Sequence, residues 1–324
     1  MSGTTGQTGK RPSLRAQLED GWLLSAGCFD AWSAKLAEHV GFSSLHFSGG
    51  AFHTSQFAYA GLVYTMPEVA SQVARITAAV DIPMLADLDT GFGGVEDILR
   101  ATRELERAGA GGIHIEDVPF PITRDGSGGT GVIPKSEAVG RVKAALAART
   151  DPDFLIVGRT DSTISVDDLI ERSNLFLEAG ADVAFPLVRA VEVDGRRLAE
   201  LPPPERLEWY RRIVREIDGP VVTVGGVDRT FSATQLRDAG FTWVVVPLVA
   251  FNAATAAMTL ALREALEDGR ADTYFTEHPN PLKPAQYMKL IGYDRVAEHE
   301  REFGGTASAD ESARPDGRPG QGES

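Results

Sequence analysis

The chain has 324 residues, 43% hydrophobic and 24% charged, the make-up of an ordinary globular protein with room for one large domain or two smaller ones. Its net charge of -14 and the lack of any basic cluster beyond Arg196-Arg197 and Arg211-Arg212 argue against nucleic acid as a partner. A single cysteine, Cys28, excludes an intramolecular disulfide and a cysteine-based metal cluster and suits a reducing cytoplasm, and no apolar run reaches the roughly 18 residues of a membrane span.

Residues 1–13 are mostly small and polar, with no apolar stretch, and read as a flexible leader and not a signal peptide. Short apolar runs then recur at 23–26, 45–48, 83–86, 112–115, 154–157, 183–185, 221–224 and 243–246. Runs of this length, rich in Val, Ile, Leu or Phe, are what strands buried on both faces look like. Helical spacing fills most of the gaps between them. The clearest case is 97–108, where Ile98, Ala101 and Leu105 share one face and Arg and Glu occupy the other. Three such helices close on an Ala-Gly pair, at Ala108-Gly109, Ala179-Gly180 and Ala239-Gly240, and glycine accepts the left-handed cap that ends a helix. The repeating rhythm predicts an α/β protein built as a (β/α)8 TIM-type barrel with extra C-terminal helices. An open dinucleotide-binding sheet is disfavoured, because no GxGxxG follows an early strand.

Beyond the last run, 251–266 reads as an Ala-rich helix, 278–284 as a Pro-rich connector and 285–303 as another helical stretch. The expected organisation is a barrel at 14–266, a connector with helices at 267–303 that could exchange between subunits, and a disordered tail at 304–324, where almost nothing is available to bury.

The strongest local signal is Asp87-Leu88-Asp89, directly after an apolar run. Residues two apart on an extended segment point the same way, so these carboxylates converge. Two close carboxylates raise one another's pKa unless a cation or a shared proton intervenes, and hard oxygen donors favour Mg2+ or Mn2+. The bland alternative is one helix cap and one loop bond. Glu116-Asp117 ends the next run and brings a third acid to the same barrel mouth, where the chemistry of such barrels is held. His114, inside that run, reads as core. Arg159 ends the fifth run and suits a substrate carboxylate, or a salt bridge to the neighbouring acids. Phe47-Ser48-Gly49-Gly50 ends the second, where exposed backbone N–H groups would face an anion or simply form a tight turn.

These pieces together resemble the isocitrate lyase / phosphoenolpyruvate mutase superfamily. The resemblance rests on Phe29 to Lys35, Phe47 to Gly50, Ala86 to Gly93, Gly112 to Asp117 and Gly158 to Asp161. It implies Mg2+-dependent making or breaking of C–C or C–P bonds beside a 2-oxo acid, with an enolate-like intermediate. It further implies Asp89 as the direct metal ligand, Asp87 and Glu116 on metal-bound waters, and Phe47, Ser48, Gly49, Gly50, Asp87 and Arg159 as the substrate-binding set. Superfamily members commonly form tetramers, so a homo-oligomer, dimer or tetramer, is expected.

The departures bear on the reaction. Isocitrate and methylisocitrate lyases of the family carry a Lys-Lys/Arg-Cys-Gly-His loop, whereas residues 121–131 here contain neither Cys nor His, and Arg124 is their only cation. Tyr59 stands where many members have Asp, and Leu187 where many have Glu. Tyr59, His53 and Arg124 are the remaining proton-transfer or catalytic candidates beside Arg159. The expectation is a Mg2+-dependent C–C lyase or decarboxylase acting on a small 2-oxo or 2-hydroxy acid. A C–P enzyme and a catalytically silent binding barrel are the alternatives.

Overall fold

The computed structural model describes residues 12–59, 63–122, 131–188, 191–225, 230–270 and 272–304. Two compact units make up the chain, Met1–Thr259 and Leu260–Ser324, and the boundary falls within the helix Val249–Asp268.

In the first unit eight strands form one parallel sheet: β1 (Leu23–Cys28), β2 (Ser44–Phe47), β3 (Met84–Asp87), β4 (Gly112–Glu116), β5 (Leu155–Thr160), β6 (Val183–Pro186), β7 (Val222–Val224) and β8 (Trp243–Val246). Their order in the sheet is β6-β5-β4-β3-β2-β1-β8-β7. A parallel bridge between Ala184 and Val221 joins the two edges, so the sheet comes round into the expected barrel. Helices follow the strands, and the Ala-Gly pairs end three of them as anticipated, with Gly109, Gly180 and Gly240 at φ 88, 108 and 106°. The amphipathic helix read at 97–108 spans Val95–Arg107 and buries Ile98, Ala101, Thr102 and Leu105 against the barrel wall. Each aliphatic side chain so buried contributes about 1.5–3 kcal/mol. An antiparallel pair, Glu192–Val193 with Arg196–Arg197, decorates the connection after β6.

Side chains alternate along every strand. Outward residues such as Phe47, Ala86, Ile113 and Ile156 join the layer between barrel and helices. Inward residues fill the barrel itself, where Leu23, Leu85, Leu155, Val183, Val222 and Trp243 pack with Leu14 of the first helix, Leu14–Glu19. Polar atoms in this interior are matched: the Ser25 hydroxyl accepts from Trp243 Nε1 at 2.7 Å and lies 2.7 Å from the Ser44 hydroxyl. The same parity, carried one step further along each strand, selects the side chains that emerge at the C-terminal mouth.

The second unit holds the helices Asp272–Glu277, Pro284–Leu290 and Tyr293–Phe303. Phe275, Tyr287, Ile291, Tyr293, Val296 and Phe303 are exposed on them. Among the described residues no helix is long and apolar enough to cross a membrane.

Candidate active site

A cavity of about 420 Å³ opens at the C-terminal mouth of the barrel, a volume within the range of small-molecule sites. Parity accounts for its walls. The inward set His46 and Ser48 from β2, Asp87 and Asp89 from β3, Glu116 from β4, and Arg159 and Asp161 from β5 forms one side. Phe185 and Leu187 from β6, Val224 from β7, and Val245 and Pro247 from β8 form the other.

Asp87 is held by three groups. Its Oδ1 accepts the Asp89 backbone N–H at 3.0 Å and its Oδ2 accepts the Gly49 N–H at 3.3 Å, while His114 Nδ1 lies 3.5 Å from Oδ1. Gly49 is needed for that approach, because a Cβ there would lie 2.9 Å from Asp87 Oδ2. Asp89 sits just past the end of β3 with φ 49°, the left-handed region that Asp tolerates better than most residues. The Tyr64 hydroxyl donates to its Oδ2. Burial first, then the charge of Asp87, pushes the Asp89 carboxyl up to about 8. Burial also pushes Glu116 well above the usual carboxylate range, with Arg159 pulling the other way and Asp161, Asp89 and Asp87 adding to the rise.

Arg159 is committed to its neighbours. It makes a two-pronged pair with Asp161 (Nε to Oδ1 2.7 Å, Nη2 to Oδ2 2.8 Å) and reaches Glu116 Oε2 at 3.1 Å. Burial works against its charge, but Asp161 and Glu116 outweigh burial and keep it protonated. Of the two readings open for this arginine, the structure displays the salt bridge to neighbouring acids.

His46 and His114 meet deeper in the barrel, Nε2 to Nε2 at 3.0 Å. Burial, then the neighbouring His114, lowers His46 to about 3, and burial, then the charge of Arg159, lowers His114 well below its ordinary value. Two neutral imidazoles in that contact share one N–H. Since His114 Nδ1 faces the Asp87 carboxylate, the consistent assignment protonates His114 on Nδ1 and His46 on Nε2. His114 was read as core, and it is core that braces the carboxylate at the mouth.

Asp117, one residue past Glu116, points outward and is structural. It accepts from Thr160 Oγ1 at 2.7 Å and the Asp161 N–H at 2.9 Å, and pairs with Arg172 at 3.2 Å. It therefore fixes the end of β5, and with it Arg159. Ser48 caps the helix Gly49–Phe57, its Oγ accepting the Ala51 N–H at 3.3 Å, so the N-terminus of that helix opens beside the carboxylates. Gly50 and His53 also line the cavity.

Two expected side chains stand elsewhere. Phe47 faces outward and packs on Phe52 with ring centroids 5.4 Å apart, so only its backbone could meet a ligand. Tyr59 is 61% exposed and does not line the cavity. Arg124 lies outside the described residues. Lys135, the first cation past residues 121–131, pairs with Asp168 at 2.9 Å and Glu171 at 2.6 Å. Three side chains were overlooked. His46 and Asp161 carried a signal, since each lies two residues from a chosen position on the same strand face. Tyr64 carried none, because it precedes the helix Met66–Ala79 and meets Asp89 only in the folded chain.

The donor set fits a hard divalent cation. Asp87, Asp89 and Glu116 offer carboxylate oxygens, and the elevated Asp89 and Glu116 are acids that a cation would return to the ionised form. Among the described residues no three His, Cys, Asp or Glu side chains close into a chelating cage.

The family model described as phosphoenolpyruvate phosphomutase matches residues 14–266. Among curated proteins, the 2-methylisocitrate lyase of Shewanella oneidensis is 33% identical over 282 residues, covering 84% of this chain and 89% of the relative. The 2,3-dimethylmalate lyase of Eubacterium barkeri is 30% identical over 289 residues, covering 87% and 93%. Among solved structures, phosphonopyruvate hydrolase in complex with oxalate and Mg2+ superposes with a TM-score of 0.74 at 26% identity, covering 90% of this chain and 97% of that one.

Proposed function

This chain belongs to the phosphoenolpyruvate phosphomutase / isocitrate lyase superfamily, and on that premise we propose that it is a Mg2+-dependent lyase or decarboxylase that cleaves a C–C bond of a small 2-oxo or 2-hydroxy (di)carboxylic acid. The observation that carries the proposal is charge. Among the described residues, Asp87, Asp89, Glu116 and Asp161 share the cavity with one guanidinium, Arg159, which two of them already hold. Such a rim repels an anionic acid until a cation joins it.

Asp89 would hold Mg2+, with Asp87 and Glu116 beside it as supporting carboxylates; Mn2+ offers the same hard chemistry. When bound, the ion supplies Lewis-acid stabilisation of the negative charge that develops on the oxygen beside the breaking bond. The backbone N–H groups at the start of the helix Gly49–Phe57, with Ser48 and Gly50, bind the substrate carboxylate. Arg159 favours the ionised form of Glu116 and aims it at the cavity. His53, on the same helix and lining the cavity, would serve as a proton-transfer group. The apolar wall from β6 to β8 excludes water from the reacting carbons.

The relative solved with oxalate and Mg2+ supports the choice of cation and of a small carboxylic acid. A C–P reaction would place a phosphono group in a cavity whose described residues offer it Arg159 alone, since Lys135 is engaged by Asp168 and Glu171. The apolar side chains exposed on the C-terminal helices, Phe275 and Phe303 among them, support a homo-oligomer, a dimer or a tetramer. A cytoplasmic location suits the single reduced thiol.

The test is release of a 2-oxo acid from oxaloacetate and from 2-hydroxy diacids, with Mg2+ and with EDTA. Turnover that requires Mg2+ is expected. Turnover unchanged in EDTA sinks the proposal. Interconversion of phosphoenolpyruvate and phosphonopyruvate in a phosphorus NMR spectrum transfers the site to C–P chemistry, and no Mg2+ binding by calorimetry leaves a silent barrel.

A further inference from the structure

The mouth of this barrel is divided in two. All four rim carboxylates and the one guanidinium come from β3, β4 and β5. In a ring of eight strands β7 and β8 stand across from β3 and β4, and β6 lies between β5 and β7. Every inward side chain that β6, β7 and β8 bring to the cavity is apolar: Phe185, Leu187, Val224, Val245 and Pro247. Phe185 marks the border, since the Arg159 guanidinium carbon lies 5.6 Å from its ring centroid. Among the described residues, then, no cation or hydrogen-bond donor side chain from β6 to β8 faces the far half of the cavity.

An acid whose head group is held beside Asp87 and Asp89 must direct its remaining carbons at this wall. An ionised carboxylate pressed there would lose its hydration and gain no partner among the described side chains. An alkyl group would be favoured, since burying each CH2-sized unit is worth about fourfold in affinity.

We propose that the acid accepted here carries an uncharged alkyl group on the carbons facing Leu187, Val224 and Val245, which makes alkyl-substituted malates and their 2-oxo counterparts the preferred class and excludes a third carboxylate. The inference rests on the Mg2+-dependent reading above and goes further by naming the side group.

The experiment uses the full chain loaded with Mg2+. Binding of malate, 2-methylmalate, 2,3-dimethylmalate and 1-hydroxypropane-1,2,3-tricarboxylate is measured by calorimetry, and kcat/KM for 2-oxo acid release is measured for the same compounds. Affinity is expected to rise about fourfold with each methyl and the tricarboxylate to bind at least about a hundredfold more weakly than the dimethyl acid. Leu187→Lys, which adds a cation to the apolar wall, is expected to narrow or reverse that ratio. A flat methyl series, a tricarboxylate that binds best, or no binding by any of the four overturns the inference. If the alkylated acids bind tightest but release no 2-oxo acid, the side-group assignment stands and the lyase proposal falls. If unsubstituted or tricarboxylic acids turn over best with Mg2+, the lyase proposal stands and this inference falls.

Discussion

Replacing Asp89 with Asn removes the carboxyl that burial and Asp87 push up to about 8, while keeping its shape and an oxygen for the Tyr64 hydroxyl. In the folded protein this carboxyl holds its proton more tightly than at its ordinary value of 3.8, so the native state binds the extra proton between about 4 and about 8. The stability it contributes is complete below that window and is lost as pH rises through it. At pH 7 the wild-type group stands roughly 3 pH units above its unfolded value, which at about 1.4 kcal/mol per unit caps the penalty near 4 kcal/mol. Solvent reaches part of this side chain, and screening reduces the expected gain from Asn to about 1–3 kcal/mol. Urea unfolding in EDTA from pH 5 to 9 is the assay. The wild-type protein should lose stability with rising pH more steeply than Asp89→Asn, and the variant should be the more stable of the two at pH 7–8. In Mg2+ at 100 times its Kd the wild type should gain about 2.7 kcal/mol and the variant little. Parallel pH profiles, or equal stabilisation of both proteins by Mg2+, would refute the account of Asp89 as a strained ligand awaiting a cation.

Tyr64→Phe removes the donor that favours the ionised form of Asp89, so Mg2+ affinity should fall about tenfold at pH 7 and recover by pH 9, where Asp89 ionises without help. Calorimetry at both pH values separates this from a packing effect, which would weaken binding equally at each. Arg159→Lys cannot keep the two-pronged pair with Asp161 and the contact to Glu116 together. It should lower kcat/KM by about a hundredfold or more and destabilise the fold by about 2–4 kcal/mol. Steady-state kinetics with urea unfolding reads both, and a variant near wild type in both would mean that these pairs neither orient the site nor hold it together.

Much of this site was legible before any coordinates, because strand parity is a local property. Asp87 and Asp89 point together since they lie two apart on an extended segment, and Glu116 and Arg159 follow by the same count on their own strands. The apolar runs and the Ala-Gly helix ends reported the eight βα units because burial on both faces and left-handed capping each leave a mark within a few residues. The same counting could have separated Glu116 from the outward Asp117 and added His46 and Asp161 to the site.

What parity cannot supply is which side chain stands across from which. Arg159 is spent on Asp161 and Glu116, His114 braces Asp87 through the pair with His46, and Tyr64 reaches Asp89 across 25 positions of chain. Phe47, implied by the resemblance, faces outward, and Tyr59, which stands where many members have Asp, is exposed and does not line the cavity. The division of the mouth into a charged half and an apolar half likewise exists only once the Ala184–Val221 bridge brings the two edges of the sheet together. A strand specifies its own inward face within a few residues, whereas the partner of that face is specified by closure of the ring.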